Sequence, residues 1–391
     1  MKRVQGLYSE ALVFTDVVEE VALEQIKKLC DQEFTSGLKI RIMPDVHAGA
    51  GCTIGTTMTI KDKVVPNLVG VDIGCGMETV RLRKRGLNLE RLDEVIRERI
   101  PSGFLVREEP HPYNEEIDLT MLRCLKEAGI NLDRAAKSLG TLGGGNHFIE
   151  ANRDEEGNIY LVIHSGSRHF GKEICDYYHN KARELNGKWY STVPDEYRLA
   201  FLPVDSAEGK EYILWMDLAL QYAYENRARM MEKVMEIVSQ KAEKFLGQTV
   251  EYTESINCHH NYASLEEHFG KEVWVHRKGA TRVRNGELAV IPGAMGSYSY
   301  VVMGKGCPDS FLSSSHGAGR AYSRKAAMET FPCDKVINDL KEQGVVLGKT
   351  KKSDVAEESR FAYKDIDHVM DQQTDLVVPV KKLKTVGVVK G

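Results

Sequence analysis

Long apolar runs are missing from this 391-residue sequence: no stretch approaches the roughly 18 uninterrupted apolar residues that a membrane helix needs. The opening MKRVQGLYSEALVF also lacks the apolar segment and small-residue cleavage site of a signal peptide. A cytosolic protein without membrane association is expected. A basic excess is missing too. With 53 Lys and Arg against 57 Asp and Glu, the formal net charge of −4 argues against generic adhesion to nucleic acid, which draws on a basic surface releasing counterions. Paired cysteines are absent: the eight, at positions 30, 52, 75, 124, 175, 258, 307 and 333, form no CxxC, and the chain is too long to depend on disulfide staples. Most are expected as small buried hydrophobes. No repeat, low-complexity tract or Pro/Ser-rich linker divides the chain, so residues 1–391 are expected to form a single domain.

What is present is an ordinary globular composition, 42% hydrophobic and 28% charged, enough for a substantial core. Helical spacing of apolar residues marks 17–34 and 87–100, the latter stopped by Pro101. Residues 209–245, rich in helix formers, predict one long helix or a tight pair, with further helices at 322–330 and near 333–344. Short apolar runs at 158–164, 249–256, 272–277, 287–291 and 298–304 read as strands, as does the tail from 375. Helices and strands do not alternate regularly, which predicts an α+β fold rather than a βαβ array. Local basic runs stand at 81–86, 276–284, 349–352 and 381–384; each reads first as a solvated surface.

Metal-competent residues recur inside Gly-rich or apolar segments: MPDVHAGAG (43–51), VGVDIGCGM (69–77), LGGGNHFIE (142–150), VIHSGSRHFG (162–171) and NCHHNYA (257–263). Asp72 and Cys75 sit three apart in a turn, and a thiolate can bridge two cations with imidazoles from His147, His164 and His260 completing two sites. Any one of these alone reads more simply as a packed cysteine or a hydrogen-bonded core histidine. A donor set of cysteine and histidines by itself favours zinc or iron. The segment SSSHGAGR (313–320) has the glycines and hydroxyls of a phosphate cradle, with a histidine where lysine is usual; His316 there suits a spectator, a ligand, a general acid or a nucleophile.

Taken in order, these motifs with HRKGA, IPGAMGSYSYVV and AYKDID resemble the RtcB family of RNA-splicing and RNA-repair ligases over nearly the whole chain. The resemblance implies a single α+β catalytic domain with a deep metal-containing cleft. It implies a GTP- and manganese-dependent ligase joining an RNA 3′-phosphate or 2′,3′-cyclic phosphate to a 5′-hydroxyl through a GMP-histidine intermediate and an RNA-ppG end. On the same grounds Asp72, Cys75 and His147 hold one Mn2+ and Cys75, His164 and His260 the other, leaving His259 and His169 aside. His316 would be the nucleophile and Asp45 its orienting carboxylate. GTP would be held by Asn146, Phe148, Glu150, Asn261, Pro292, Gly293, Ala294, Met295, Ser299, Gly317, Ala318, Gly319, Tyr363 and Lys390, and RNA phosphates by Arg168 and Arg320. Ala294 departs from the pattern, standing where relatives commonly carry Ser, so a hydroxyl contact to the nucleotide is expected to be lost. The partner implied is RNA with such ends, bound by a monomer. Two alternatives compete: a dinuclear cyclic phosphodiesterase and a non-catalytic RNA-end binder.

Overall fold

The computed structural model describes residues 1–82, 86–111, 129–246, 252–348 and 355–391; Cys124, the basic run 349–352 and residues 83–85 of the run 81–86 lie outside them. One six-stranded sheet runs Lys2–Gln5, Glu10–Val13, Ile40–His47, Ile54–Ile60, Lys271–Lys278, Asn261–His268. The larger sheet runs Tyr252–His259, Gly76–Leu82, Ile159–Ser165, Phe148–Arg153, Val377–Lys390, Tyr298–Gly304, Leu288–Ile291. Pairing is antiparallel except between Glu10–Val13 and Ile40–His47 and between Val346–Gly348 and Val377–Lys390. Mixed helix and sheet without a βαβ array is the α+β class expected.

The long helix is a single one, Ala207–Leu246, started by Ser206, whose Oγ accepts from the Gly209 N–H at 3.0 Å. Its Met230 and Val234 share a buried cluster with Leu161 and Ile163 of the larger sheet. Full burial of each such side chain is worth roughly 1.5–3 kcal/mol, which anchors the helix across the sheet face. The predicted helix 17–34 is shorter, Glu20–Cys30, followed by a 3-10 turn at Glu33–Thr35. Among the elements not expected are two that carry cavity residues. The helix Arg168–Lys188 carries glycines at 171 and 187 that weaken its helical signal, yet Phe170, Ile174, Cys175, Tyr178 and Ala182 are buried at helical spacing. The strand Asn261–His268 contains two glutamates and pairs with Lys271–Lys278 across a turn with positive φ at Phe269 and Gly270. Among the seven described cysteines, 30, 52, 75 and 175 are buried and 258, 307 and 333 only partly so.

Candidate active site

The His316 segment is held by its neighbours and not by a ligand. The three serines, expected to line a phosphate cradle, are fully buried in a short strand, Ser313–Ser315, paired with Ala280–Arg282. Their hydroxyls are used internally: Ser313 Oγ donates to the Phe311 carbonyl, Ser314 Oγ to the Ser315 carbonyl, and Ser315 Oγ accepts from the Asp45 N–H. That part of the expectation is corrected; chain continuation, not phosphate, accounts for them. Beyond the strand, one carboxylate oxygen of Asp45 accepts from His316 Nδ1 at 2.6 Å, from the His316 N–H at 3.0 Å and from the Gly317 N–H at 3.2 Å. Asp45 is fully buried, and its other oxygen, Oδ1, has no hydrogen-bond partner among the described residues. Gly319 explains the second glycine of HGAGR: its φ is +74° and a Cβ there would stand 2.1 Å from the Asp45 carbonyl oxygen.

The His316 ring stacks edge-on to that of His260, with centroids 4.7 Å apart, and so borders a cluster of ligand-type side chains. Cys75, His164 and His260 form one group and Asp72, Cys75 and His147 another, the donor atoms in each lying within 4.8 Å of one another. Cys75 belongs to both. Its Sγ stands 3.3 Å from His164 Nε2 and 3.5 Å from His147 Nε2, and His147 Nε2 is 3.0 Å from Asp72 Oδ2. The far nitrogens of His147 and His164 face the carbonyls of Leu142 and Asn146, each at 3.1 Å, which fixes the rings with Nε2 turned to the sulfur. Burial, with neighbouring histidines, holds His164 and His260 well below the usual imidazole range. Burial and the charge of Asp72 push the Cys75 thiol far up. Neutral imidazoles, a buried thiol and an Asp72 Oδ1 without a partner among the described residues fit divalent cations. His259 and His169 belong to neither group. His259 lines a separate cavity of about 470 Å3 with Tyr262 and Arg282, and His169 is exposed beside Glu173 at 3.5 Å.

Two residues of the long helix, expected only as scaffold, hold these segments in place. The fully buried guanidinium of Arg227 donates to the carbonyls of Gly74 (2.8 Å) and Ser165 (2.9 Å) and to Asn257 Oδ1, tying together the chain beside Cys75, His164 and His260. Asn226 next to it accepts from the Gly140 and Thr141 N–H groups and donates to the carbonyls of Thr141 and Gly166. Nothing in a helical pattern marks these positions, because their partners come from distant segments.

The predicted residues open onto one cavity of about 1210 Å3. Its walls include all five ligand candidates, His316, and every predicted nucleotide contact except Ser299. Ser299 instead accepts from the Gly293 N–H at 3.1 Å, holding the Pro292–Met295 turn, and Asp45 stands behind His316. At one end Glu358, which the sequence did not single out, binds three of the expected contacts: Arg320 Nη1 at 3.1 Å, the Tyr363 hydroxyl at 2.6 Å and Lys390 Nζ at 3.4 Å. An acidic pair such as Glu357 and Glu358 reads as solvated surface, so no signal pointed to it. Burial pushes the Glu150 carboxyl up to about 7, against the pull of Asn152 and Lys390. Arg168 opens its helix at φ +61°, uncommon for a side chain of that size, and its guanidinium passes where a Cβ on Gly143 would lie 1.8 Å from Nη1.

Of the described basic runs, only Gly279 borders this cavity. Arg277 and Lys278 are buried, Arg277 paired with Glu266, while Lys381 and Lys382 pair with Glu156 and Asp367. The cavity's Lys and Arg side chains are instead Arg97, Arg134, Arg168, Lys172, Arg320, Arg324 and Lys390. The described basic runs therefore do not supply the cavity's positive charge.

A family model described as tRNA-splicing ligase RtcB matches residues 34–131 and 125–391. The chain belongs to the RtcB family. Among curated RtcB proteins, an RNA-splicing ligase RtcB of Escherichia coli K12 is 37% identical over 379 residues, covering 90% of each chain. A tRNA-splicing ligase RtcB of Methanococcus maripaludis is 31% identical over 461 residues, covering 100% of this chain and 95% of the relative. An RNA-splicing ligase RtcB homolog 1 of Entamoeba histolytica is 32% identical, covering 90% and 81%. Among the described residues, no helix is long and apolar enough to cross a membrane.

Proposed function

We propose that this chain is a GTP-dependent RNA ligase in which His316 carries GMP to an RNA 3′-phosphate before a 5′-hydroxyl displaces it. The observation that carries the reading is the contact of Asp45 Oδ2 with His316 Nδ1 at 2.6 Å, beside a cluster of five ligand-type side chains. The hydrogen bond fixes the tautomer with the proton on Nδ1 and leaves Nε2 as the free nucleophilic nitrogen. Nε2 attacks the α-phosphorus of GTP, the P–N bond forms and pyrophosphate departs; the buried Asp45 carboxylate offsets the positive charge this leaves on the ring. An oxygen of the RNA 3′-phosphate then attacks the same phosphorus, breaking the P–N bond and giving an RNA-ppG end. The 5′-hydroxyl of the second RNA attacks the 3′-phosphorus, losing its proton as the phosphodiester forms and the bond to GMP breaks; without the guanylate the leaving group would be hydroxide.

Asp72, Cys75 and His147, and Cys75, His164 and His260, are the residues that would hold two Mn2+ ions. Bound there, the metals would supply Lewis-acid neutralisation of phosphate oxygens and opening of a cyclic phosphate end. Glu150 is suited to accept from the N1–H and 2-amino group of guanine. Lys390 and Tyr363 would close the nucleotide end of the cavity, with Ala294 leaving the turn Pro292–Met295 to act through its backbone and Ser299 supporting it. Arg168 and Arg320 would meet RNA phosphates.

Incubation with GTP labelled at the α-phosphate and manganese should give an acid-labile protein adduct, absent in His316→Ala. An adduct that persists in that variant assigns the nucleophile elsewhere. Hydrolysis of cyclic ends without any joined strand, with or without GTP, would replace the ligase with a phosphodiesterase.

A further inference from the structure

Phe104 is 94% exposed, the most exposed large apolar side chain among the described residues, and it borders the cavity that contains His316. Other exposed aromatic side chains, Tyr190 at 92% and Phe269 at 51% among them, do not border it. With the adjacent Leu105, 67% exposed and lining the same cavity, Phe104 leaves apolar surface in water at the cavity's edge, and covering that surface is favourable.

The turn carrying the ring is fixed rather than loose. Ser102 bridges to Gly143, the Gly103 N–H donates to the Gly143 carbonyl at 2.8 Å, and the Leu105 N–H donates to the Ser102 carbonyl at 3.1 Å. Two arginines grip its carbonyls: Arg134 Nη2 donates to Phe104 O at 3.2 Å and Arg168 Nη2 to Gly103 O at 3.4 Å. Arg134 and Arg168 line the cavity together with the ring, Arg168 lying in the field of Asp72. The ring is therefore presented on a fixed turn, flanked by cations. Such a combination, an aromatic face with positive charge beside it, matches a single nucleic-acid strand, whose bases offer π-faces and whose backbone offers phosphates.

We propose that Phe104 is a stacking platform for one unpaired nucleobase of the RNA strand beside the end being joined. The assignment rests on the ligase reading above and adds a preference to it. A base in a duplex is already stacked between its neighbours, whereas an unpaired base gains a partner on the ring, so the enzyme favours single-stranded ends over ends held in a nicked duplex. Because every base has a π-face, the preference is for strandedness and not for sequence.

The test uses the full-length protein and a short RNA ending in a 3′-phosphate, with 2-aminopurine placed in turn at each of the last four nucleotides. Wild type should quench the probe at one position, and Phe104→Ala should abolish that quench and weaken binding by roughly 5- to 150-fold, the range of one base–aromatic stack. Phe104→Tyr should restore both, while Phe104→Leu, apolar but without a π-face, should not. An abasic site at the quenched position should bind wild type and Phe104→Ala alike. RNA affinity within twofold of wild type in Phe104→Ala, or full restoration by Leu, overturns the platform and assigns the exposed ring to another occupant. If the wild type joins no RNA ends at all, the ligase reading fails by itself, and the quench experiment still decides whether Phe104 meets a base.

Discussion

Replacing Asp45 by Asn isolates the charge that the proposed chemistry places opposite the His316 ring. The substitution preserves shape: the amide oxygen takes the position of Oδ2, keeping the three donors at 2.6, 3.0 and 3.2 Å, and the amide nitrogen replaces an Oδ1 that has no hydrogen-bond partner among the described residues. What is lost is one unit of negative charge beside a ring that becomes positive as the P–N bond forms. At an effective dielectric of about 20 and a charge separation of about 4 Å, that interaction is worth about 4 kcal/mol. Self-guanylylation should therefore slow by about three orders of magnitude, at 1.36 kcal/mol per decade. The apparent KM for GTP should move less than about threefold, since Asp45 stands behind His316 and does not line the cavity. Quenched-flow labelling with α-phosphate-labelled GTP measures both quantities. A rate within about fivefold of wild type, or a loss expressed in KM, would refute the electrostatic role of Asp45.

If Glu150 meets guanine as proposed, nucleotide binding should depend on pH: with its carboxyl pushed up to about 7 by burial, the accepting form is about one tenth populated at pH 6 and about nine tenths at pH 8. The Kd for GTP should tighten about ninefold over that interval in calorimetry, and Glu150→Gln should bind more weakly with no such slope. The sign for folding is the reverse, because a raised carboxyl adds stability that is present below about pH 4.5 and lost as pH rises through about 7. Cys75 is shared by both ligand groups, so Cys75→Ser should lower metal content measured by mass spectrometry at both sites, whereas Asp72→Asn, a member of one group, should lower it by about half. Equal retention in the two variants would contradict a shared ligand. Arg227→Met should remove the guanidinium's hydrogen bonds to the Gly74 and Ser165 carbonyls and Asn257 Oδ1, costing about 3 kcal/mol in urea denaturation at about 1 kcal/mol for each lost bond; a loss below about 1 kcal/mol would count against its role as a fastener.

The ligand candidates were legible because cysteine, histidine and aspartate inside Gly-rich, apolar segments are chemically conspicuous whatever the fold. Asp45 and His316 were legible only through the family resemblance, since 271 residues separate them in sequence. Arg227, Asn226 and Glu358 were hidden for a different reason: each sits in a local pattern that is satisfied by helix or surface, and its purpose arises from partners brought up by tertiary folding. The serines before His316 misled in the opposite direction, as hydroxyls suited to phosphate are equally suited to backbone groups in a buried strand. The helix Arg168–Lys188 had its apolar period intact, but its glycines and its left-handed first residue obscured it. Of the cavity's cations, Arg168, Arg320 and Lys390 were named through the family resemblance, whereas Arg97, Arg134, Lys172 and Arg324 carried no signal, being single residues from separate segments and not from any basic run.

The place of Val377–Lys390 in the larger sheet has a consequence for how the chain reaches its folded state. This strand is the last of that sheet in chain order, yet it lies between Phe148–Arg153 and Tyr298–Gly304. During synthesis from the N-terminus, the sheet exists as two separate parts, each with an open edge, until the final strand arrives to join them. Open edges of that kind are templates for pairing with other chains, so the nascent protein is exposed to aggregation until that strand has been made. The strand that closes the gap also carries Lys390 into the cavity, which makes assembly of the Glu358 end of the cavity and closure of the sheet one event.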